Sequence, residues 1–518
     1  MKNTIIGLLA IIVVTCVMSV YADTIMFKSG KQIEGTIKNI SDVNITVNLY
    51  DVTEMTYDLK EIDKINGEPV KQAAVVKPET IGIMVPEASG TFRSSEEAIR
   101  KFKQAGLPTS IDELIPSDIP DSENGAIIYK EAFELLNVLK NKYKNEWEYL
   151  SYPREYDNAP AEEKKKYSSI MLSDPDFGKL SELINSASKM KCQFIKRSDL
   201  KPGIEMLAYD TEHLGSLREC ARILCVKSKI EAQAGMGDQC LQDAIILLNM
   251  PRSLEEEPFF ISQLVRMALD VIAVNNMNEI INNVALDKNF LDSIVSSILS
   301  ETNDKKVMTG LKGDAVSFIT IYDQFRKAAK ESDAKDFEML DKMGGEKPDK
   351  EFLDSYKKNP QAFWDNQKTI YLMTLYDALT LSAEPYYKVS DKIKRLEDGV
   401  IKLPQKDAYF LKLSFPALLK GCTQEARVNA YLGATEIGLA NRLYRSKYGK
   451  YADSLDQLAP EFLQKVPSDP FTGKSYIYTK RSKGFAVYSV DEDLKDNGGE
   501  SQGFGGDKRD ITWIDKGN

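Results

Sequence analysis

The feature that most constrains the fold of this chain is a change in its hydrophobic period along the sequence. Between residues 23 and 66 apolar and polar residues alternate, which is typical of short strands. From about residue 94 apolar residues recur every three to four positions, as on one face of a helix. After residue 425 helix and strand patterns are mixed. A chain of 518 residues has room for several domains.

These patterns predict a multidomain, mainly α protein with β-containing ends. The predicted parts are a signal peptide (1–22), a small β-barrel (23–66), a linker (67–93), an α-helical domain (94–424) and a C-terminal α+β module (425–518).

The first 22 residues have the pattern of a secretory signal. Lys2 precedes an apolar run over residues 5–14, and the small Ala22 stands before Asp23, where a peptidase would cut. We therefore expect an exported protein in a periplasmic or extracellular space. Two alternatives attach it to a membrane: an uncleaved anchor over residues 5–22, or lipidation at Cys16.

Composition excludes several functions. The chain has one histidine, His213, so a site that needs two imidazole ligands cannot form. With 68 basic and 78 acidic residues the formal charge is −10, which argues against binding to a nucleic-acid backbone. A lone histidine without a flanking motif favours a core, cap or surface role over that of a catalytic base.

Five cysteines follow the signal, and none forms a Cys-x-x-Cys pair, which makes a metal cluster unlikely to form from them. Export permits one or two disulfides. Because most of them lie in apolar helical patterns, we favour buried thiols. They are Cys192, Cys220, Cys225, Cys240 and Cys422.

The helical region contains a clear helical hairpin. Residues 212–234 form an apolar stripe that ends at Gly235, and Asp238 is expected to cap the next helix. A longer, more apolar helix is predicted over residues 261–284. A further helix beginning at Gln405 is expected to stop before Pro416.

The alternating segment contains four or five predicted strands separated by Ser-Gly-Lys and Ser-Asp-Val-Asn turns. A sheet this small must curl to bury one face. Residues 23–66 resemble the small SH3-like or Sm-like barrels that open many exported bacterial proteins. The resemblance implies a module that binds peptides, glycans or a neighbouring domain, and it implies no reaction.

The C-terminal part carries several motifs in order. A predicted helix from Glu425 leads into residues 448–458, then into the sequence Asp469-Pro470-Phe471, then into strands around residues 476–478 and 485–490. A Gly/Asp-rich loop follows and ends at residues 510–513. In this order the motifs resemble the globular domain of the major, G-type pseudopilins of type II secretion.

This resemblance implies a calcium ion in the acidic loop, since calcium prefers carboxylate and carbonyl oxygens at flexible spacing. Asp493 matches the family's aspartate after the Tyr-Ser strand, and Asp510 matches the aspartate of its closing Asp-Ile pair. Asp496 and Asp507 are further candidates. The alternative is a solvated acidic loop that is turned by its glycines. Asp491 departs from the family, which has Gly at that position.

A pseudopilin begins with a membrane-spanning helix directly before this domain, whereas residues 425–448 are too polar to span a bilayer. A subunit of the pseudopilus shaft is therefore not expected. The whole chain resembles exported bacterial proteins in which a helical region ends in such a module, and that similarity implies architecture alone.

We predict an exported, non-enzymatic binding or scaffold protein of the bacterial envelope, whose helical grooves take a protein or peptide partner. No catalytic residue is assigned. One alternative is a hydrolase of envelope polymers that uses carboxylates in a helical cleft, although the consecutive acids Glu255, Glu256 and Glu257 point apart. The other is an accessory protein of a type II secretion-like machine.

Overall fold

The computed structural model describes residues 94–207, 209–282, 305–329, 348–499 and 510–517, together with the backbone of six strands between residues 23 and 69. The predicted signal at 1–22 and most of the predicted linker at 67–93 lie outside the described residues. The protein is mainly helical, with a small three-stranded antiparallel sheet near its C-terminus.

The N-terminal strands lie where the alternation of the sequence predicts strands. They pair in the antiparallel order β4-β3-β2-β1-β5-β6, and β1 occupies the middle of the sheet between β2 and β5. Closure of this sheet into a barrel stays a prediction. The strands are β1 (Asp23–Phe27), β2 (Gln32–Ile40), β3 (Asn44–Leu49), β4 (Thr53–Asp58), β5 (Ile62–Ile65) and β6 (Glu68–Pro69).

The helical region begins at residue 95. Its first helices are α1 (Ser95–Gln104), α2 (Ile111–Leu114), α3 (Gly125–Lys142), α4 (Trp147–Ser151), α5 (Pro153–Asn158), α6 (Ala161–Ser173) and α7 (Pro175–Ser188). Those that follow are α8 (Glu212–Gln233), α9 (Gly237–Asn249), α10 (Phe260–Ile281), α11 (Lys306–Ala328), α12 (Lys350–Lys358), α13 (Pro360–Ser382), α14 (Tyr386–Lys402) and α15 (Gln405–Tyr448). Among the described residues, no helix combines the length and the apolarity that crossing a bilayer requires.

The predicted hairpin is formed by α8 and α9. Gly235 turns the chain between them with a φ of +75°, a left-handed conformation that glycine adopts without strain. The prediction of an aspartate cap was wrong: α9 begins at Gly237, its N-cap is Met236, and no side chain caps it. Asp238 therefore lies inside the first turn, where its negative charge interacts favourably with the helix dipole and stabilises the helix.

The expectation that a helix would end before Pro416 was also wrong. The helix α15 runs from Gln405 to Tyr448, and its one residue with non-helical backbone angles is Ala408. Proline costs a helix interior about 3 kcal/mol. Phe415 and Leu419 are buried on either side of it, so packing offsets that cost. The predicted boundary between residues 424 and 425 falls inside this helix.

One continuous apolar cluster extends from Ala98 in α1 to Trp513 near the C-terminus. Its centre is aromatic: the Phe325 ring lies 4.7 Å from Trp364 and 5.5 Å from Phe410, measured between centroids. These rings join α11, α13 and α15, which are thus held by large apolar contacts.

The cysteine prediction can be compared with the described thiols. Cys192, Cys220, Cys225, Cys240 and Cys422 are all free, and all but Cys192 are buried. Burial raises the pKa of the Cys422 and Cys225 thiols to about 12, so they stay protonated at neutral pH.

The C-terminal sheet consists of β7 (Ile477–Lys480), β8 (Phe485–Ser489) and β9 (Ile511–Asp515), with β8 in the middle. The first two strands confirm the sequence prediction, and β9 forms where a loop end was expected. The sheet packs on α15, and two glycines of that helix make room for it. A Cβ on Gly438 would lie 2.1 Å from Nε1 of Trp513, and one on Gly433 would lie 2.4 Å from Oη of Tyr476.

The end of α10 also holds the sheet. Nδ2 of Asn282 donates to the carbonyl of Ile514 at 3.0 Å, and its Oδ1 accepts from the amide of Lys516 at 2.8 Å. The buried Asp515 pairs with Arg442 of α15 and accepts from Tyr451 at 2.9 Å. The module is thereby fixed to the helical region by polar contacts as well as by a shared helix.

Candidate functional site

Two polar regions are candidates for function: the acidic loop after β8, and a cleft beside the ends of α7 and α9. The acidic loop is built on the Asp469-Pro470-Phe471 turn. The buried carboxylate of Asp469 accepts hydrogen bonds from the Phe471 amide and from the Ser489 hydroxyl, both at 2.8 Å. These two bonds join the turn to the end of β8 and so set where the loop begins.

Asp491 stands where the resemblance to pseudopilins expects glycine, and its backbone conformation is one that glycine prefers. Its φ is +56°, a left-handed conformation that glycine adopts easily and that aspartate tolerates better than most residues. Its Oδ1 accepts from Nε of Arg427 at 2.9 Å. Burial raises the pKa of Asp491, while the Arg427 charge lowers it. The aspartate thus attaches the loop to α15.

Of the predicted calcium ligands, the structure brings Asp496 and Asp510 together around Tyr488. Oδ1 of Asp496 accepts from Tyr488 at 3.0 Å and from the Gly498 amide at 2.8 Å. Oδ2 of Asp510 accepts from the amides of Asn497 at 3.0 Å and Gly499 at 2.7 Å.

Asp510 is buried, and its Oδ1 has no hydrogen-bond partner among the described residues. Burial raises the pKa of Asp510, two backbone amides lower it, and the charge of Asp496 raises it. A cation beside Oδ1 would offset the cost of burying the charge of Asp510 and would reduce its repulsion by Asp496.

Asp493 is placed differently, and its Oδ1 accepts from the Lys495 amide at 3.0 Å. Asp507 lies outside the described residues. Within the described ranges no three acidic, cysteine or histidine side chains group as metal ligands. Of the predicted ligands, Asp496 and Asp510 are thus the two that lie near each other among the described residues, and Oδ1 of Asp510 has no hydrogen-bond partner there.

His213 is buried in a polar cluster. Its Nε2 lies 3.0 Å from Oε2 of Glu257, and its ring stacks on Phe194 with a centroid distance of 4.5 Å. The Ser262 hydroxyl donates to the same glutamate. All three polar side chains are nearly inaccessible to solvent. The cluster joins the start of α8 to the chain before α10, so the histidine has a packing role, one of the core, cap or surface roles expected for it.

The second candidate is a cleft of about 440 Å³ that opens to solvent. One wall is the end of α7 and the chain after it, and the other is the end of α9 with the turn that follows. Lys191 from the first wall and Glu256 from the second form an ion pair of 2.7 Å, with their side chains 51% and 44% exposed. The lining is mostly polar and consists of Ser188, Lys189, Met190, Lys191, Cys192, Asn249, Arg252, Glu255 and Glu256.

The residues beneath the cleft are closely packed. Gly125 packs so closely there that an added Cβ would lie 2.8 Å from Sγ of Cys192. The buried Ser253 donates to Tyr129 at 2.9 Å beneath the second wall. Burial raises the pKa of Cys192 to about 12, so its thiol is a neutral contact and not a nucleophile at neutral pH.

No family model matches the sequence, and neither a curated protein nor a solved structure matches the chain.

Sequence reasoning missed the cleft because its walls are distant in the chain: Lys191 and Glu256 belong to different helix ends, and no motif links them. The run Glu255, Glu256 and Glu257 was the available signal. The structure separates its members, since the first two are exposed at the cleft and Glu257 is buried with His213.

Proposed function

We propose that the chain is an exported, non-enzymatic binding or scaffold protein of the bacterial envelope, and that the cleft between Lys191 and Glu256 receives a segment of a peptide or protein partner. The open, mostly polar cleft on the helical region is the observation that carries this proposal. Its size lies within the roughly 300–1,000 Å³ of sites that bind small ligands.

The pairing of charges in the cleft favours binding over hydrolysis. A glycoside hydrolase of the usual kind needs two carboxyl groups that face each other across the scissile bond. Here Glu255 and Glu256 are adjacent in the chain, and Glu256 is paired with Lys191 at 2.7 Å. An ion pair of this kind suits recognition of a charged partner more than proton transfer.

A site-specific photo-crosslinker tests this function. The crosslinking residue replaces Met190 in the cleft and, as a control, the exposed Leu172 outside it, in the full chain expressed in its native cells. We expect a defined product from position 190 that weakens in a Glu256→Lys background, where the charge at position 256 is reversed and the ion pair with Lys191 is lost. A product of equal yield from both positions, or from neither, contradicts the proposal.

The finer architecture is proposed on the same footing. We propose that residues 23–66 form an SH3-like barrel and that residues 425–518 form a pseudopilin-like module. The antiparallel strand order of the first segment supports the barrel, and the Asp469 turn anchored to β8 supports the module. An accessory role beside a type II secretion-like machine is the second candidate, and co-purification with that apparatus tests it.

We further propose that the acidic loop binds calcium through Asp510 and Asp496, with Asp493 and Asp507 as further candidates. The orphaned Oδ1 of Asp510 supports this assignment. Calcium is a hard cation that takes 6–8 oxygen ligands.

Calorimetric titration of the full chain with calcium tests the metal site. We expect heat of binding and a higher melting temperature, because a ligand at about 100 times its Kd stabilises by roughly 2.7 kcal/mol. Asp510→Asn should abolish both effects. Asp456→Asn, which alters an exposed acid outside the acidic loop, is the control and should retain them. Absence of heat in the unaltered chain overturns the calcium proposal.

A further inference from the structure

The two walls of the cleft carry different charges: the first is positive, and the second carries one positive and two negative side chains. Lys189 and Lys191 lie on the first wall, whereas Arg252, Glu255 and Glu256 lie on the second. The only direct link described between the exposed charges of the two walls is the ion pair of Lys191 with Glu256. Exposed pairs of this kind contribute about 0–1 kcal/mol. A ligand can therefore separate them at little cost.

The sign of the ligand follows from this arrangement. A purely anionic ligand would be attracted by the lysines and repelled by Glu255 and Glu256. A purely cationic ligand would be attracted by the two glutamates and repelled by the lysines. A ligand with one charge of each sign can replace the Lys191–Glu256 pair and leave neither Lys191 nor Glu256 without a partner. The walls thus favour a zwitterion.

The remaining lining suits the middle of such a ligand. Ser188 and Asn249 offer neutral groups that can donate to and accept from amides. Met190 and the protonated Cys192 offer apolar contacts between them. Peptide groups and small side chains match this mixture.

We propose that the cleft binds short peptides whose two termini are free. The lysines and Arg252 take the carboxylate, and Glu255 and Glu256 take the amine. This inference rests on the proposed function, because it names the ligand of the same cleft.

Calorimetry with three matched peptides tests the inference on the full chain. The probes are trialanine, N-acetyl-trialanine and trialanine amide, which are zwitterionic, anionic and cationic. We expect trialanine to bind and each blocked peptide to bind about tenfold weaker or worse, since each loses a hydrogen bond to a charged group. Equal affinity for all three peptides, or no heat with trialanine, overturns the inference.

Two substitutions assign the termini to the walls. Glu256→Gln should weaken the binding of trialanine and should not weaken the binding of N-acetyl-trialanine, which Glu256 repels. Lys191→Met should weaken trialanine and leave the amide unchanged. The control is Lys166→Met, which removes an equally exposed lysine, 51% accessible and 3.0 Å from Glu146, outside the cleft. If all three variants bind alike, the cleft is not the site.

The two experiments fail separately. If position 190 crosslinks to a partner but all three peptides bind equally well, the proposed function stands and the inference of a zwitterionic ligand is wrong. If trialanine binds more tightly than the blocked peptides but no partner is crosslinked, the result supports short peptides as ligands and contradicts a protein partner.

Discussion

Buried carboxylates occur both in the hairpin of α8 and α9 and on α15. Those in the hairpin are paired with a lysine, whereas Glu436 on α15 has no ion-pair partner among the described residues. In the hairpin, Nζ of Lys227 lies 2.6 Å from Glu231 and 2.8 Å from Asp243. On α15, Glu436 is 2% exposed.

The pKa values reflect the two environments. Burial, together with the Asp243 charge, raises the pKa of Glu231 from an ordinary 4.5 to about 7, while Lys227 opposes that rise. Burial alone raises the pKa of Glu436 to about 7. In the hairpin Lys227 forms ion pairs with both acids, which lowers the cost of burying their charges. For Glu436 that cost is lowered by protonation of the carboxyl group. Both raised pKa values make stability fall as pH rises through about 7, and at Glu436 no cation among the described residues opposes the rise of the pKa.

The largest effect is expected from Lys227→Met, which breaks the hairpin side of this contrast. It leaves two adjacent buried carboxylates without a cation and should lower the free energy of unfolding by about 3–5 kcal/mol at pH 8. Urea unfolding measures the loss. At pH 5 the loss should shrink, because Glu231 takes up a proton below about 7.

The control for this change neutralises all three groups. The variant Lys227→Met, Glu231→Gln, Asp243→Asn removes the uncompensated charges and should regain most of the stability. If it stays as unstable as the single variant, lost packing and not lost charge explains the effect.

The next effect comes from Glu436→Gln. A carboxyl whose folded pKa exceeds its unfolded value is fully stabilising below the unfolded pKa, here 4.5, and that stability is lost as pH rises through about 7. At pH 8 the glutamine variant should therefore be more stable, by up to about 3 kcal/mol. The gain should disappear near pH 4. Melting curves across this range measure it, and a gain independent of pH contradicts the burial argument.

A smaller effect is expected from Gly438→Ala, which tests the packing of α15 against the C-terminal sheet without altering charge. The added Cβ would lie 2.1 Å from Nε1 of the buried Trp513, so the variant should lose about 1–3 kcal/mol. Gly215→Ala in α8 is the control. Nothing lies within 4 Å of its added Cβ, and it should gain up to about 1 kcal/mol. Similar outcomes at both positions would show that helix propensity, not the tryptophan, decides them.

Much of the fold could be predicted because hydrophobic period depends on near neighbours. The alternation before residue 66 located strands, and the stripe over residues 212–234 located α8 almost to its ends. The prediction failed at Pro416, because local propensity favours a stop there while the burial of Phe415 and Leu419 against distant helices favours continuation.

The candidate sites divide in the same way. The order of motifs pointed to the acidic loop and to Asp510, and the structure adds that Oδ1 of Asp510 has no hydrogen-bond partner within the part of the chain that it describes. Which aspartates lie together depends on the folding of the loop around Tyr488, a contact that spacing cannot reveal. The sequence signal for the cleft was limited to the run Glu255, Glu256 and Glu257, because the two walls meet only after α7 and α9 have packed.

The sequence by itself determined the mainly helical class, the strands at both ends and the acidic character of the chain, since these depend on composition and on neighbours within a few residues. The tertiary structure alone decided which charges acquire partners. Lys227 pairs with Asp243, Lys191 pairs with Glu256, and Glu436 is buried because distant segments pack together. Burial and distance set the strength of an electrostatic interaction, and both are properties of the packed chain.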